Sequence, residues 1–358
     1  MKISGGNQML KKIIPIVLCL CLALCVGCKK KEKSLSVEVG SEPSSVPEIS
    51  EESKEVEEII INPLTGLNDV TKEEAANRPV AIMVNNISVA QGVQTGLNKA
   101  DVIYETEVEG GITRLLAVYQ DIGNVEKIGT IRSSRYVYID LAMGHNAIYA
   151  YHGTDPNYAK PHLKDTDAFY LDTNNGGTRI SNGLASEHTL YAYGSKLWEN
   201  IKSSDRKLVN KNTAPWLTFA PNDQPVSYDK TANSISVTFS NSYTTKFKYD
   251  TATGRYISYF GDTERKDYYT GESVTVKNVF VLNAEMGHYP KQKYRKISLE
   301  SGSGYYCVNG TYTPITWTKG ASSNHFVFKT ADGKELTVNP GNSWICIADS
   351  ARSNPTFE

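Results

Sequence analysis

The stretch Val102-Ile103-Tyr104-Glu105-Thr106-Glu107-Val108-Glu109-Gly110-Gly111-Ile112-Thr113-Arg114-Leu115-Leu116-Ala117-Val118-Tyr119 reads as a β-hairpin. Val102, Tyr104, Thr106 and Val108 alternate with Ile103, Glu105, Glu107 and Glu109, the period of a strand. Gly110-Gly111 can supply positive φ at both turn positions, and Ile112 to Tyr119 returns. A two-residue loop pairs residues whose numbers sum to 221, which sets Glu107 opposite Arg114. Such a cross-strand ion pair is worth about 0.2–1 kcal/mol.

Working outward, Pro79 to Val84 is a further apolar, β-prone run ending at Asn85-Asn86. Ser133 to His145 has helical character, Ala147 to Tyr151 looks like a buried strand, and Tyr191 to Ile201 an amphipathic helix. Beyond Pro215-Trp216 the texture changes to short strands separated by turns: 234–239, 245–249, 255–260, 273–282, 311–318, 325–328, 335–338 and 344–348. The expected class is α+β, with an N-terminal mixed α/β lobe (61–212) followed by an antiparallel β-rich lobe (213–358).

The two ends of the composition differ from this head. Lys11-Lys12 precedes the apolar run Ile13 to Val26, which is too short for a ~30 Å hydrocarbon core but fits a signal-peptide h-region. It closes on Gly27-Cys28, similar to the lipobox of bacterial lipoproteins, in which the cysteine is acylated (palmitate is one such acyl group) and heads the mature chain. Leu24 lies one step further from Cys28 than that motif places it. A plain secretory signal or an uncleaved anchor are the alternatives. Residues 1–27 are thus the expected signal peptide and 28–60 a disordered tether of Lys, Glu, Ser, Val and Pro. The whole chain of 358 residues has 38 Lys+Arg, 39 Asp+Glu and a net charge of −1. The leader accounts for +3 and residues 29–58 for −4, which leaves the head neutral. That balance excludes a basic nucleic-acid binder.

The charged residues of the first lobe carry what chemistry there is. Glu105, Glu107, Glu109, Arg114, Arg132, Arg135 and Asp140 stand in an otherwise apolar stretch. Carboxylates beside fixed cations can act as general acid and base, and arginine forks grip carboxylate or phosphate. The same set also reads as an ion-pair network on a hairpin and its following helix. His152 follows a strand end, and His188 lies in a polar segment; no His-Glu-x-x-His spacing exists, so no metal and no cofactor is expected. Cys307 and Cys346, the two cysteines beyond Cys28, are either a disulfide or buried thiols. All 22 tyrosines lie beyond residue 100; most read as strand residues, with Tyr268-Tyr269 and Tyr305-Tyr306 the exceptions that suggest exposed contact surface.

Four runs resemble the YerB-like lipoprotein family: Arg78-Pro79-Val80-Ala81-Ile82-Met83-Val84-Asn85-Asn86, Ala100-Asp101-Val102-Ile103-Tyr104-Glu105, Val108-Glu109-Gly110-Gly111-Ile112-Thr113-Arg114, and Ile128-Gly129-Thr130-Ile131-Arg132-Ser133-Ser134-Arg135. The resemblance continues through Tyr249-Asp250-Thr251-Ala252-Thr253-Gly254 and Gly341-Asn342-Ser343-Trp344-Ile345. It implies a family of N- and C-terminal parts with no established activity. The expected function is a lipid-anchored protein on the extracytoplasmic face of the cell membrane, binding a cell-envelope polymer or protein without catalysis. The alternative is a cell-envelope hydrolase. For either, the candidate ligand residues are Glu105, Glu109, Arg114, Arg132, Arg135, His152 and His188.

Overall fold

A computed structural model describes residues 59–290, 293–352 and 354–358. The leader, Cys28 and the tether up to residue 58 lie outside the described residues. The hairpin forms, with strand Val102–Glu107 antiparallel to Thr113–Tyr119, and Gly110 and Gly111 at φ 67° and 74°. Its register differs from the sequence expectation by one residue. Thr106 faces Arg114 and Glu107 faces Thr113, because Glu109 joins Gly110-Gly111 in a three-residue turn, closed by Val108 N–H donating to the Ile112 carbonyl at 2.8 Å. A one-residue slip exchanges faces. Arg114 therefore lies on the opposite side from Glu107, and the expected pair between them does not form.

The hairpin is the middle of an 11-stranded sheet. On one side it continues through Val80–Asn85, Ile148–Tyr151 and Ala168–Tyr170; on the other through Ser343–Asp349, Asn278–Ala284, Ser301–Val308 and Thr311–Thr318. The segments 61–212 and 213–358 thus share this sheet, since Val102–Glu107 pairs in parallel with Ser343–Asp349 from Val102↔Ser343 to Thr106↔Ile347. The C-terminal part is β-rich and its pairings are mostly antiparallel, as expected, but Asn278–Ala284 runs parallel to Ser343–Asp349. Strand Ser301–Val308 was not expected, since Gly302 and Gly304 interrupt its pattern. They are required there: a Cβ on either would meet a carbonyl of Asn283 or Val281 at 2.3 or 2.4 Å.

Both faces of the sheet are covered, so its central strands read as continuous apolar runs rather than alternating ones. One face packs on a six-stranded sheet that includes Ser234–Ser240, Tyr243–Asp250 and Arg255–Phe260, through Ile235, Val237, Phe239, Phe247 and Tyr256 against Ile103, Leu115, Val279 and Trp344. The other face takes helix Tyr136–Gly144, which is apolar on nearly every side and accordingly buried. Its Tyr138 hydroxyl donates to the carbonyls of Thr106 and Arg114, fixing the helix to the turn end of the hairpin. The expected helix 191–201 divides into strand Leu190–Ala192 and helix Gly194–Lys202, which buries Leu197 and Ile201 one turn apart. Tyr306 is core, with its hydroxyl bonded to Asn278 Oδ1 at 2.8 Å, whereas Tyr268 and Tyr269 are 45% and 41% exposed.

Cys307 and Cys346 are both buried and free, which corrects the disulfide alternative. They flank the strand Asn278–Ala284 on its two sides, Cys307 opposite Val279 and Cys346 opposite Val281. Two inter-strand spacings, with a two-residue offset along the strand, put their Cα atoms more than about 9 Å apart, beyond the ~7 Å reach of a disulfide. Burial also pushes both thiols far above their ordinary pKa. A chain beginning after Cys28 should therefore give no reaction with Ellman's reagent when native and two thiols in denaturant without reductant. Recovery of none in denaturant would restore the disulfide.

Candidate functional site

Seven strands of the large sheet point the same way: Val80–Asn85, Val102–Glu107, Ile148–Tyr151, Ala168–Tyr170, Asn278–Ala284, Thr311–Thr318 and Ser343–Asp349. Their C-terminal ends form one edge, the place where open sheets with parallel strands commonly gather functional groups. Asn85-Asn86, Glu107–Glu109, His152, Asp155 and Asp349 leave from these ends. The segment Arg132–Arg135 crosses the same edge, held by Arg132 N–H to the Met83 carbonyl and Ser134 N–H to the Gly153 carbonyl.

Of the predicted residues, Glu109, Arg114 and Arg135 do come together. Arg135 Nε donates to Glu109 Oε2 at 2.8 Å, its Nη2 pairs with Oε1, and Arg114 Nη2 reaches the same oxygen at 2.9 Å. Burial pushes the Glu109 carboxyl up, but these two guanidinium groups hold it below the ordinary range. Burial and the neighbouring Arg135 bring Arg114 down to about 10, which leaves it charged at neutral pH.

The other four separate from this triad. Glu105 is fully buried between the two sheets, where Asn86 Nδ2, Thr113 Oγ1, Thr245 Oγ1 and Trp344 Nε1 all donate to it. Arg132 turns to Glu187, at 3.2 Å from its carbonyl and 3.6 Å from its carboxylate. His188 is 5% exposed between Asn85 Nδ2 and Glu187, and burial, then Arg132, lower its pKa. His152 Nδ1 lies 2.7 Å from the Leu171 carbonyl, which makes it the donor and leaves Nε2 to face Arg179 at 3.3 Å. The constellation read from sequence thus divides among four places, and Glu109 and Arg135 border a crevice.

This narrow crevice, open to solvent and with room inside for about one water, lies between the triad and the loop after Asn278–Ala284. Glu107, Glu109, Asp155, Arg135 and Arg295 line it with Tyr136, Tyr158, Tyr289 and Tyr294. Tyr158 stacks on Tyr289 at 4.0 Å, Tyr136 stacks on His162 at 4.2 Å, and the Arg135 guanidinium lies 5.2 Å from the Tyr294 ring centre. Burial and nearby Tyr136 and Asp140 raise the Tyr289 hydroxyl to about 12, so it stays protonated. Glu107 and Asp349 share Arg295 and Arg352. Asp155 accepts backbone N–H groups of Asn157, Tyr158 and Ala159 at 2.9, 3.1 and 2.6 Å. Among the described residues no group of three His, Cys, Asp or Glu is placed to hold a metal ion.

Sequence reasoning did not find the four tyrosines or Arg295. The signal available was weak: Tyr289-Pro290 and Tyr294-Arg295 bracket a polar loop directly after an apolar strand.

The chain matches both parts of the family described as "Protein of unknown function (DUF3048)". Its N-terminal domain matches residues 64–207 and its C-terminal domain residues 235–345. The chain belongs to this YerB-like family. It is 29% identical over 343 residues to "Putative lipoprotein YerB" of Bacillus subtilis (strain 168), covering 92% of this chain and 93% of that one. The crystal structure of the YerB protein from Bacillus subtilis superposes with a TM-score of 0.72 at 28% identity, over 83% of this chain and 99% of that one.

Proposed function

We propose that the chain is a membrane-anchored extracytoplasmic lipoprotein whose head binds a cell-envelope polymer or protein and catalyses no reaction. The observation that carries the binding reading is the state of the carboxylates at the strand-end edge. Glu107, Glu109 and Asp155 are each already held by donors, while the tyrosines beside them are half-buried. A hydrolase needs the reverse: a carboxyl within hydrogen-bond reach of substrate and tuned toward neutral pH.

The anchor rests on sequence: Lys11-Lys12, the apolar run 13–26 and Gly27-Cys28, together with the name of the Bacillus relative. Among the described residues no helix is long and apolar enough to cross a membrane. Cys28 then holds the protein by acyl chains, and the −4 tether stands the neutral head away from anionic headgroups. The test is Cys28→Ala in cells fed radiolabelled palmitate. Label should disappear from the protein and the chain should pass into the medium; a variant that stays with the membrane would sink the anchor.

A further inference from the structure

We infer that the tyrosine crevice at the strand-end edge binds an uncharged sugar ring of a cell-envelope glycan; this rests on the binding reading above and names its ligand class. The first argument is shape. Tyr158 and Tyr289 lie face to face with an interplanar angle of 20°, Tyr136 and His162 with one of 7°, and Tyr294 stands edge-on to Tyr158. Each ring is fixed by a neighbour, so a ligand orders little when it docks. Tyrosine offers a flat apolar face with a polar rim, and a pyranose offers the matching pair: a face of C–H bonds with hydroxyls around it. The inner part of the crevice has room for about one water, so the ring lies along its mouth.

The second argument is charge. Glu107, Glu109, Asp155 and Asp349 are balanced by Arg114, Arg135, Arg295 and Arg352, each acid held by one or more of these arginines or by backbone N–H groups. A polyanion such as a glycerol-phosphate polymer meets no net positive field here, and a polycation no net negative one. An uncharged polyol needs neither. The third is an uncommitted donor. The Arg295 side chain is 6% exposed and its Nη2 pairs with Asp349 at 2.8 Å, but its Nε has no partner. A buried donor of this kind costs about 1–3 kcal/mol unless an acceptor reaches it, and a sugar hydroxyl or acetamido carbonyl is such an acceptor.

The experiment uses the lipidated mature chain in detergent micelles, with chitotetraose as the neutral glycan, poly(glycerol phosphate) as the polyanion and purified sacculi as the whole polymer. Chitotetraose should bind saturably, with an affinity nearly constant between about 50 and 300 mM salt. Tyr158→Leu and Tyr289→Leu should each weaken it by about tenfold or more at unchanged melting temperature. In the unaltered protein, saturating the tyrosine ring protons should transfer to the sugar C–H protons, a readout that needs no variant. Absence of that transfer, preference for poly(glycerol phosphate), or binding retained by both leucine variants would overturn the inference. If sacculi sediment the protein while chitotetraose does not bind, the sugar assignment falls alone. If neither binds, the polymer-binding reading falls with it.

Discussion

Glu105→Leu is expected to destabilise the head by about 3–5 kcal/mol, seen as a lower urea midpoint at unchanged slope. The residue is the anionic half of a sealed polar chamber between the two sheets. Arg265, 3% exposed, is the cationic half, and Asn86 joins them, donating to Glu105 at 2.9 Å and accepting from Arg265 Nη1 at 2.9 Å. Gln94 takes a second Arg265 bond at 2.7 Å, and the guanidinium lies 5.3 Å from the Trp344 ring centre. Burial raises the Glu105 pKa, while the Arg265 charge and the donors on its oxygens pull it down. Every contact is a donor, so the carboxylate is the form the chamber satisfies. Removing it leaves a guanidinium buried without counter-charge. Arg265→Met should cost a comparable amount for the converse reason. The double variant Glu105→Leu/Arg265→Met should recover much of the loss, since apolar replacement of a buried pair is often nearly neutral. A double-mutant cycle should therefore give a coupling of about 2 kcal/mol or more. A single-variant cost below about 1 kcal/mol would show that the pair holds nothing together.

The same residue shows what sequence could and could not convey. Alternation and the Gly-Gly turn were enough to find the hairpin, because both are local. The register was not, because it depends on whether Glu109 belongs to the strand or to the turn, and that one residue decides which side chain meets each glutamate. Reading Glu105 and Glu109 as one cluster follows from their shared place in an otherwise apolar stretch. The structure sends them to different environments because the chamber above Glu105 is roofed by Thr245 and Arg265, more than 100 residues later in the chain. The pairing of Val102–Glu107 with Ser343–Asp349 has the same origin. Both strands are apolar and β-prone, but nothing local tells a strand which distant partner it will meet. The crevice tyrosines are the extreme case, since Tyr136, Tyr158 and Tyr289 come from three strand-end connections that only the sheet brings together. Glu109, Arg114 and Arg135 were legible because helix Tyr136–Gly144 begins one residue after Arg135 and packs directly on the hairpin.

His145 should make the head lose stability as the pH falls from about 6.5 toward 3, by up to about 4 kcal/mol relative to His145→Gln. His145 follows helix Tyr136–Gly144 as its C-cap residue, and its ring lies with Nε2 2.6 Å from the Tyr104 hydroxyl and the Trp216 ring edge-on at 4.8 Å. Burial, then the charges of His325 and Lys319, lower its pKa from 6.5 to about 3. The neutral imidazole is therefore the folded form, whereas the unfolded chain takes up a proton near pH 6.5. Below that pH the unfolded state binds more protons, so stability falls with decreasing pH and the loss is complete only near pH 3. Lys319, itself lowered to about 8 by burial, stays charged across this window and keeps opposing a second positive charge. Asp101 works in the other sense: burial raises it to about 7, so its contribution weakens as pH rises from 3.8. The total curve mixes both, which is why the informative quantity is the difference between the parent and His145→Gln. Glutamine can still bond to Tyr104 but does not titrate. The difference in unfolding free energy should be flat above pH 7 and change by up to about 1.4 kcal/mol per pH unit below pH 6. A difference that stays flat down to pH 4 would mean that His145 protonates in the folded head as readily as in the unfolded chain, and that its contact with Tyr104 does not depend on the neutral ring.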